Sequence, residues 1–278
     1  MSPLRPENSN LLQGLLPYVV VTPENRPHFD LAPFGLAIAE AHVIDPLHTG
    51  SAPFLERLET LDGATFGPEG MPMPRWVFFD GAELPGGIVG LARPAENLSA
   101  RARTLFKLPT DAAGLVPLSM FIAIPTFEPG EWMGHNLASL GPMLPDAGLK
   151  GLASYTKALG LAVFRARKQI GVTQWNSTAL AVHTRLGPLE LLSAWTPAHS
   201  EPWSLTYRVT ITEAALRSLA REPDAELPRP EPERWVHSDD HATMKALQVE
   251  IEAGARYVIT GRPRILDHEH LEVPVARV

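Results

Sequence analysis

The sequence predicts an α/β (α+β) fold: a mixed, mostly antiparallel sheet with helices on both faces, followed by a C-terminal extension. Three observations predict it. Short β-rich runs outnumber helical ones, only one run of helical period is long and clear, and proline punctuates the whole chain. The 28 Pro among 278 residues are roughly twice the usual share. They exclude long bundles and coiled coils, because a Pro breaks a helix interior and removes a strand donor.

Taken in order, residues 31–58 carry Leu36, Ile38, Ala39 and Val43 near helical spacing, with breaks at Pro46 and Pro53, which predicts one or two helices. Residues 75–80 and 87–92 are β-rich runs joined through Gly81, Pro85 and Gly86, the composition of a hairpin. Residues 116–124 form an apolar run too short and too Pro-bounded for a helix, so they read as a buried strand ending at Pro125. Residues 126–147 show weak periodicity and read as a long loop, a feature usually functional or disordered. The clearest helix spans 149–167, with Leu149, Leu152, Tyr155, Leu159, Ala162, Val163 and Ala166 on one face. Arg165, Arg167 and Lys168 suit the negative end of its dipole.

A strand follows at 169–175, then a short helix at 178–186 with Asn176 or Ser177 as N-cap. A strand at 189–195 precedes 203–211, where Leu205, Tyr207, Val209 and Ile211 alternate with Ser204, Thr206, Arg208 and Thr210. That period of two predicts a half-exposed antiparallel strand. Residues 221–234 are acidic and Pro-rich, the composition of a linker or surface strap. Ser238 or Asp239 is expected to cap a helix to Ala255, and 257–260 with the turn at Gly261 leads to a last strand ending at Leu266. So short a tail rarely makes its own core. We therefore divide the chain into a main domain, 1–221, and an extension, 222–278, that docks on the main domain or on a second copy as a homodimer.

Composition closes off several chemistries. The formal charge of −7 gives no electrostatic footprint for nucleic acid. Without Cys there is no disulfide, thiolate nucleophile or thiolate metal site. Residues 1–14 lack the charged and apolar regions of an export signal, and no apolar run nears the roughly 20 residues needed to span a bilayer. A cytoplasmic chain with no membrane partner is expected. His237, Asp239, Asp240 and His241, and again Asp267, His268, Glu269 and His270, are metal-ligating residue types. They match no known spacing such as H-E-x-x-H, so no metal is expected. A G-x-S-x-G elbow and a G-x-G-x-x-G loop are both absent.

One constellation stands out. Asn176, Ala179, His183 and Gly187 sit at the spacing N-x-x-A-x-x-x-H-x-x-x-G, preceded by Gly148, a helix and a strand. The segment 148–187 resembles the acyl-CoA-binding half of the GNAT acetyltransferase superfamily, as a divergent member with an atypical pyrophosphate loop. In that family a strand, a glycine-rich loop and a helix whose N-terminus takes the CoA pyrophosphate precede another strand. A short helix N-x-x-A-x-x-x-Y-x-x-x-G-F and two closing strands follow. The resemblance implies an acyltransferase that uses acetyl-CoA or another acyl-CoA and a small-molecule acceptor. It implies a thioester lying between the strands 116–124 and 169–175, with Phe121, Ile122 and Ile124 as the backbone edge that pairs with pantetheine. Gly148, Leu149, Lys150 and Gly151 would receive the phosphates, and Asn176 would also serve the cofactor.

His183 stands where the family's Tyr protonates the departing thiolate, or is a helix residue without chemistry. The base would be Glu131, or Glu128 near it, beside Trp132. Lys150 opposes the helix dipole by up to about 1 kcal/mol, so it marks an anion site or simply points into water. Two other readings remain open. One is a non-catalytic GNAT-fold binding protein whose long loop fills the groove. The other is a pocket for decarboxylation or for a carrier-bound thioester.

Overall fold

The computed structural model of the chain describes residues 11–24, 31, 34–36, 38–39, 42–70, 72–83, 86–220 and 227–278. Parts of the helical region expected at 31–58 and of the linker expected at 221–234 lie outside the described residues. The chain forms two compact units, Met1–Pro129 with Gly134–Arg165, and Gly130–Met133 with Ala166–Val278.

The first unit holds β1 (Leu16–Val20), β2 (Val43–Ile44), α1 (Ala52–Phe66), α2 (Arg75–Glu83), β3 (Gly87–Pro94), α3 (Ala100–Leu105), β4 (Leu115–Pro125), most of β5 (Glu131–Ser139) and α4 (Leu152–Val163). Its strands lie in the order β2-β1-β3-β4-β5. β1 is parallel to β2 and antiparallel to β3, and β3 is antiparallel to β4. Tyr18, Gly90 and Met120 are aligned across three strands and so share a face. The Tyr18 ring meets Phe54 of α1 edge-on at 4.8 Å. Ser119, one residue along from Met120, faces the other way and bonds Thr156 of α4 at 2.6 Å. Helices therefore cover both faces, as the fold class predicts.

Several expectations change here. Residues 75–80 belong to a helix, α2, and not to a strand. Their aromatic residues carry a β signal, but Val77 and Phe78 are buried with the helix lying against β3, and packing outweighs propensity. The partner of β3 is consequently β4, reached through α3, whose Ser99 cap accepts from the Ala102 N–H. The long loop contains β5. Its mixed polar and apolar residues hide the alternation, although Pro129 and Gly130 are a turn signal. The clear helix, α4, is shorter at both ends. Gly151 at φ 85° and Arg165 at φ 51° interrupt helical dihedrals on either side. It is also buried almost all round rather than on one stripe.

The second unit holds β6 (Lys168–Gln174), α5 (Leu180–His183) with a 3-10 turn at Thr184–Leu186, β7 (Leu189–Ser193), β8 (Ser204–Thr210), α6 (Glu213–Ala220), β9 (Arg234–His237), α7 (His241–Glu252), β10 (Tyr257–Ile259), β11 (Arg264–Ile265) and β12 (Leu271–Arg277). The strand order is β6-β8-β7-β10-β12-β11, with β9 also on β12, and all these pairs are antiparallel. The tail docks on its own chain: β10 pairs with β7, Tyr257 opposite Leu191 and Ile259 opposite Leu189. α7 is capped by Asp240, which accepts from the Thr243 N–H at 3.0 Å, instead of by Ser238 or Asp239. The chain runs beyond the short β11 to a final strand, β12. No helix among the described residues is long and apolar enough to cross a membrane.

Candidate functional site

The segment 140–151 carries the chain from β5 into α4. This segment is folded on itself. The N–H groups of Met143 and Leu144 donate to the Leu140 carbonyl, and that of Ala147 donates to Leu144. A Cβ built on Gly141 would lie 2.9 Å from the Leu149 carbonyl oxygen, so the two ends of the segment approach each other at backbone distance. Leu149 is buried and anchors the segment, while Gly148, Lys150 and Gly151 are exposed. Gly148 and Gly151 have φ of 70° and 85°, in the left-handed region where glycine is favoured, and a Cβ at either would meet nothing within 4 Å. Gly151 is the N-cap of α4 and has no side chain to offer its first turn.

The structure thus brings Gly148, Leu149, Lys150 and Gly151 together at a helix end whose dipole favours an anion. Asp146, also exposed, lies in the 3-10 turn just before them. The edge expected at Phe121, Ile122 and Ile124 lies in β4. Phe121 pairs with Val89 and Ile122 with Ile88 on one flank, Ile124 lies in the same strand, and β5 occupies the other flank of β4.

Two buried ionisable groups of this unit went unnoticed in the sequence. Asp62 of α1 is 1% exposed and accepts from the Met73 N–H at 2.6 Å and from the Asn136 amide of β5 at 2.9 Å. Burial pushes its carboxyl above the usual carboxylate range, opposed by those two hydrogen bonds. Lys157 of α4 has no exposure, and burial pushes its ammonium well below the usual lysine range. Nothing in the local pattern marks either, because each is buried by elements distant in sequence.

The remaining predicted residues lie in the second unit. Glu131 is buried, and its Oε2 accepts from Arg208 Nε at 2.7 Å. His183, at the end of α5, is buried with its ring against that of Tyr207 at 5.2 Å. The Tyr207 hydroxyl is pushed up by burial, which keeps it protonated, and the Gln169 amide reaches it at 3.5 Å. Tyr207 and Arg208 are consecutive residues of β8 and point to opposite faces. Glu131 and His183 are therefore held on opposite faces of that strand, and the structure does not bring the expected base and acid together. Asn176 is exposed in the turn after β6, where the hydroxyl of its neighbour Ser177 accepts from the Ala179 N–H.

In the C-terminal part, His270 Nδ1 lies 2.9 Å from Asp267 and its Nε2 lies 3.0 Å from Asp239, with the ring of His237 at 5.4 Å. No group of three or more His, Asp or Glu that could hold a metal ion is present among the described residues.

No protein-family model matches this sequence, and no curated protein matches it. Solved structures similar to part of it include that of the NatC complex bound to Gag peptide and CoA, at 14% identity and a TM-score of 0.40, covering 60% of this chain and 97% of that one. An aminoglycoside 6'-acetyltransferase type Ii is similar at 11% identity and a TM-score of 0.38, covering 60% of this chain and 96% of that one. A protein of Desulfovibrio desulfuricans described as a GNAT-family acetyltransferase is similar at 14% identity and a TM-score of 0.38, with the same coverage of 60% and 96%.

Proposed function

We propose that the chain is a divergent GNAT-type acyltransferase that moves an acyl group from a CoA-type thioester to a small acceptor, with residues 1–221 as the transferase part and 222–278 as its extension. The observation that carries this reading is the segment 140–151, which leads from β5 into a glycine-capped helix with Gly148, Lys150 and Gly151 exposed together. The positive end of a helix suits the phosphates of CoA. Leu149 is the buried foot that keeps this geometry.

His183 is assigned as the acid toward the departing thiolate, an imidazole being available for proton transfer near neutral pH and worth about 10²–10⁴ in rate when well placed. Glu131 would serve as base only by exchanging Arg208 for the acceptor. Asn176 is assigned to the cofactor.

The test is thermal unfolding with CoA, acetyl-CoA and longer acyl-CoAs. A ligand at 100 times its Kd adds about 2.7 kcal/mol, and Lys150→Glu and Gly151→Val are expected to abolish the shift. Absence of a shift with every thioester refutes the reading.

A second reading has its own observation. Because Glu131 is engaged by Arg208 and lies across β8 from His183, the same fold also suits a binding protein without transfer chemistry. Binding of CoA with no acyl transfer to any amine, and no change on His183→Ala, would select it.

A further inference from the structure

A cavity of about 440 Å³ lies in the first unit between α3 and the segment 140–151, lined by Arg101, Thr104 and Leu105 of the helix and by Met143 and Leu144 of the segment. Pockets of this order take small organic ligands. Leu144 is buried while Leu105 and Met143 are half-buried, so the walls are apolar. A methionine thioether adapts well to a flat ring. The same segment joins the cavity to the glycine-capped start of α4. The Ala147 N–H donates to the Leu144 carbonyl at 3.0 Å, and one 3-10 turn, roughly 6 Å, separates Leu144 from the residue next to Gly148.

Charge selects the occupant. Arg103 of α3 donates to the carbonyls of Ala95, Pro109 and Thr110 and is spent on the fold. Arg101, two residues before it, is exposed at the cavity and makes no hydrogen bond or ion pair among the described residues. The Thr104 hydroxyl donates to the Ala100 carbonyl, which leaves Arg101 as the side chain with donors to offer. Asp146 is exposed in the turn beyond Leu144 and does not line the cavity. A guanidinium without a partner suits a phosphate, which its planar fork can grip with two parallel bonds. Apolar walls beside one unmatched cation, a turn away from a helix end that favours anions, are complementary to a flat base on a ribose with a phosphate on either side.

Resting on the CoA site proposed above, we propose that this cavity takes the nucleotide end of the coenzyme, with the adenine against Leu105, Met143 and Leu144 and the ribose 3′-phosphate on Arg101. The 5′-pyrophosphate then runs toward Gly148 and Gly151. The site reads the 3′-phosphate, a group that takes no part in acyl transfer.

Calorimetric titration of the full chain with two pairs of probes, adenosine 3′,5′-bisphosphate against AMP and CoA against 3′-dephospho-CoA, tests this. Within each pair the 3′-phosphate is expected to tighten binding at least about tenfold. Arg101→Gln, at an exposed position checked for folding by circular dichroism, is expected to erase both ratios and leave the affinity for 3′-dephospho-CoA as in the parent. Met143→Glu, in the cavity wall, is expected to weaken AMP and the bisphosphate alike. Lack of bisphosphate binding, equal affinity within either pair, or ratios that survive Arg101→Gln would each overturn the assignment, while binding of both coenzymes would leave the CoA reading intact. A 3′-phosphate preference among the nucleotides with no binding of either coenzyme would uphold the cavity and refute the thioester.

Discussion

At the scale of single residues, Gly90 shows how a position becomes obligatory. A Cβ there would lie 2.0 Å from the Ser119 carbonyl oxygen and 2.5 Å from the Tyr18 hydroxyl, which itself donates to Ser119 at 2.8 Å. Two of those atoms belong to a neighbouring strand and a buried ring, so neither can retreat. Gly90→Ala is expected to destabilise by more than about 2 kcal/mol, at the upper part of the usual cost of overpacking, as measured by urea unfolding. Asp62 makes the complementary case. Asp62→Ala leaves the Met73 N–H and the Asn136 amide without their acceptor and is expected to cost about 1–3 kcal/mol. Because burial raises the Asp62 carboxyl, its own linkage has a definite sign. The protonated acid is favoured by the fold, so its contribution is full below the unfolded pKa near 3.9 and is lost as pH rises through the higher folded value. Asp62→Asn, which cannot ionise, is expected to remove that part of the pH dependence. Neither residue was legible beforehand, since Tyr18, Gly90 and Ser119, like Asp62 and Asn136, are brought together only by strand pairing and helix packing.

At the scale of elements, the turn that precedes β12 is tied by charge. His270 lies between Asp267 and Asp239. The hydrogen bond to Asp267 is the main cause raising the imidazole, and the same bond holds the Asp267 carboxyl down to about 2. The two signs bound a window. The His270 contribution is present below its unfolded pKa near 6.5 and is lost as pH rises through its higher folded value. The Asp267 contribution is present above about 3.9 and is lost as pH falls toward 2. The turn is expected to be firmest between about pH 4 and 6.5. Hydrogen exchange checks this at Leu266 and Asp267, whose N–H groups donate to the His270 carbonyl. Their protection factors should fall between pH 5.5 and 8.5 in the parent and stay flat in Asp267→Ala. The same scale explains the two misread elements. α2 carries strand-forming aromatics that sit on a helix because Val77 and Phe78 find a sheet to cover. β5 carries strand geometry on residues with no clean alternation, its middle being only half-buried.

At the scale of the molecule, the tail is part of a sheet rather than an appendage. β10 pairs with β7, and Val236, Met244, Leu247, Tyr257, Ile259, Val273 and Val275 are all buried. A chain ending at residue 221 would leave the β7 edge unpaired, and it is expected to aggregate or to lose near-ultraviolet circular dichroism, while the full chain stays folded at the same concentration. By itself the sequence determined the fold class, the positions of β4, β6, β7 and β8, the existence of α4 and the absence of thiol chemistry. These are local matters of period, turn chemistry and composition, readable within a window of a few residues. Tertiary structure alone decided that Glu131 and His183 sit on opposite faces of β8 and that the tail pairs with its own chain. Those outcomes depend on which strand finds which partner across many intervening residues, and on where the resulting pleat points each side chain.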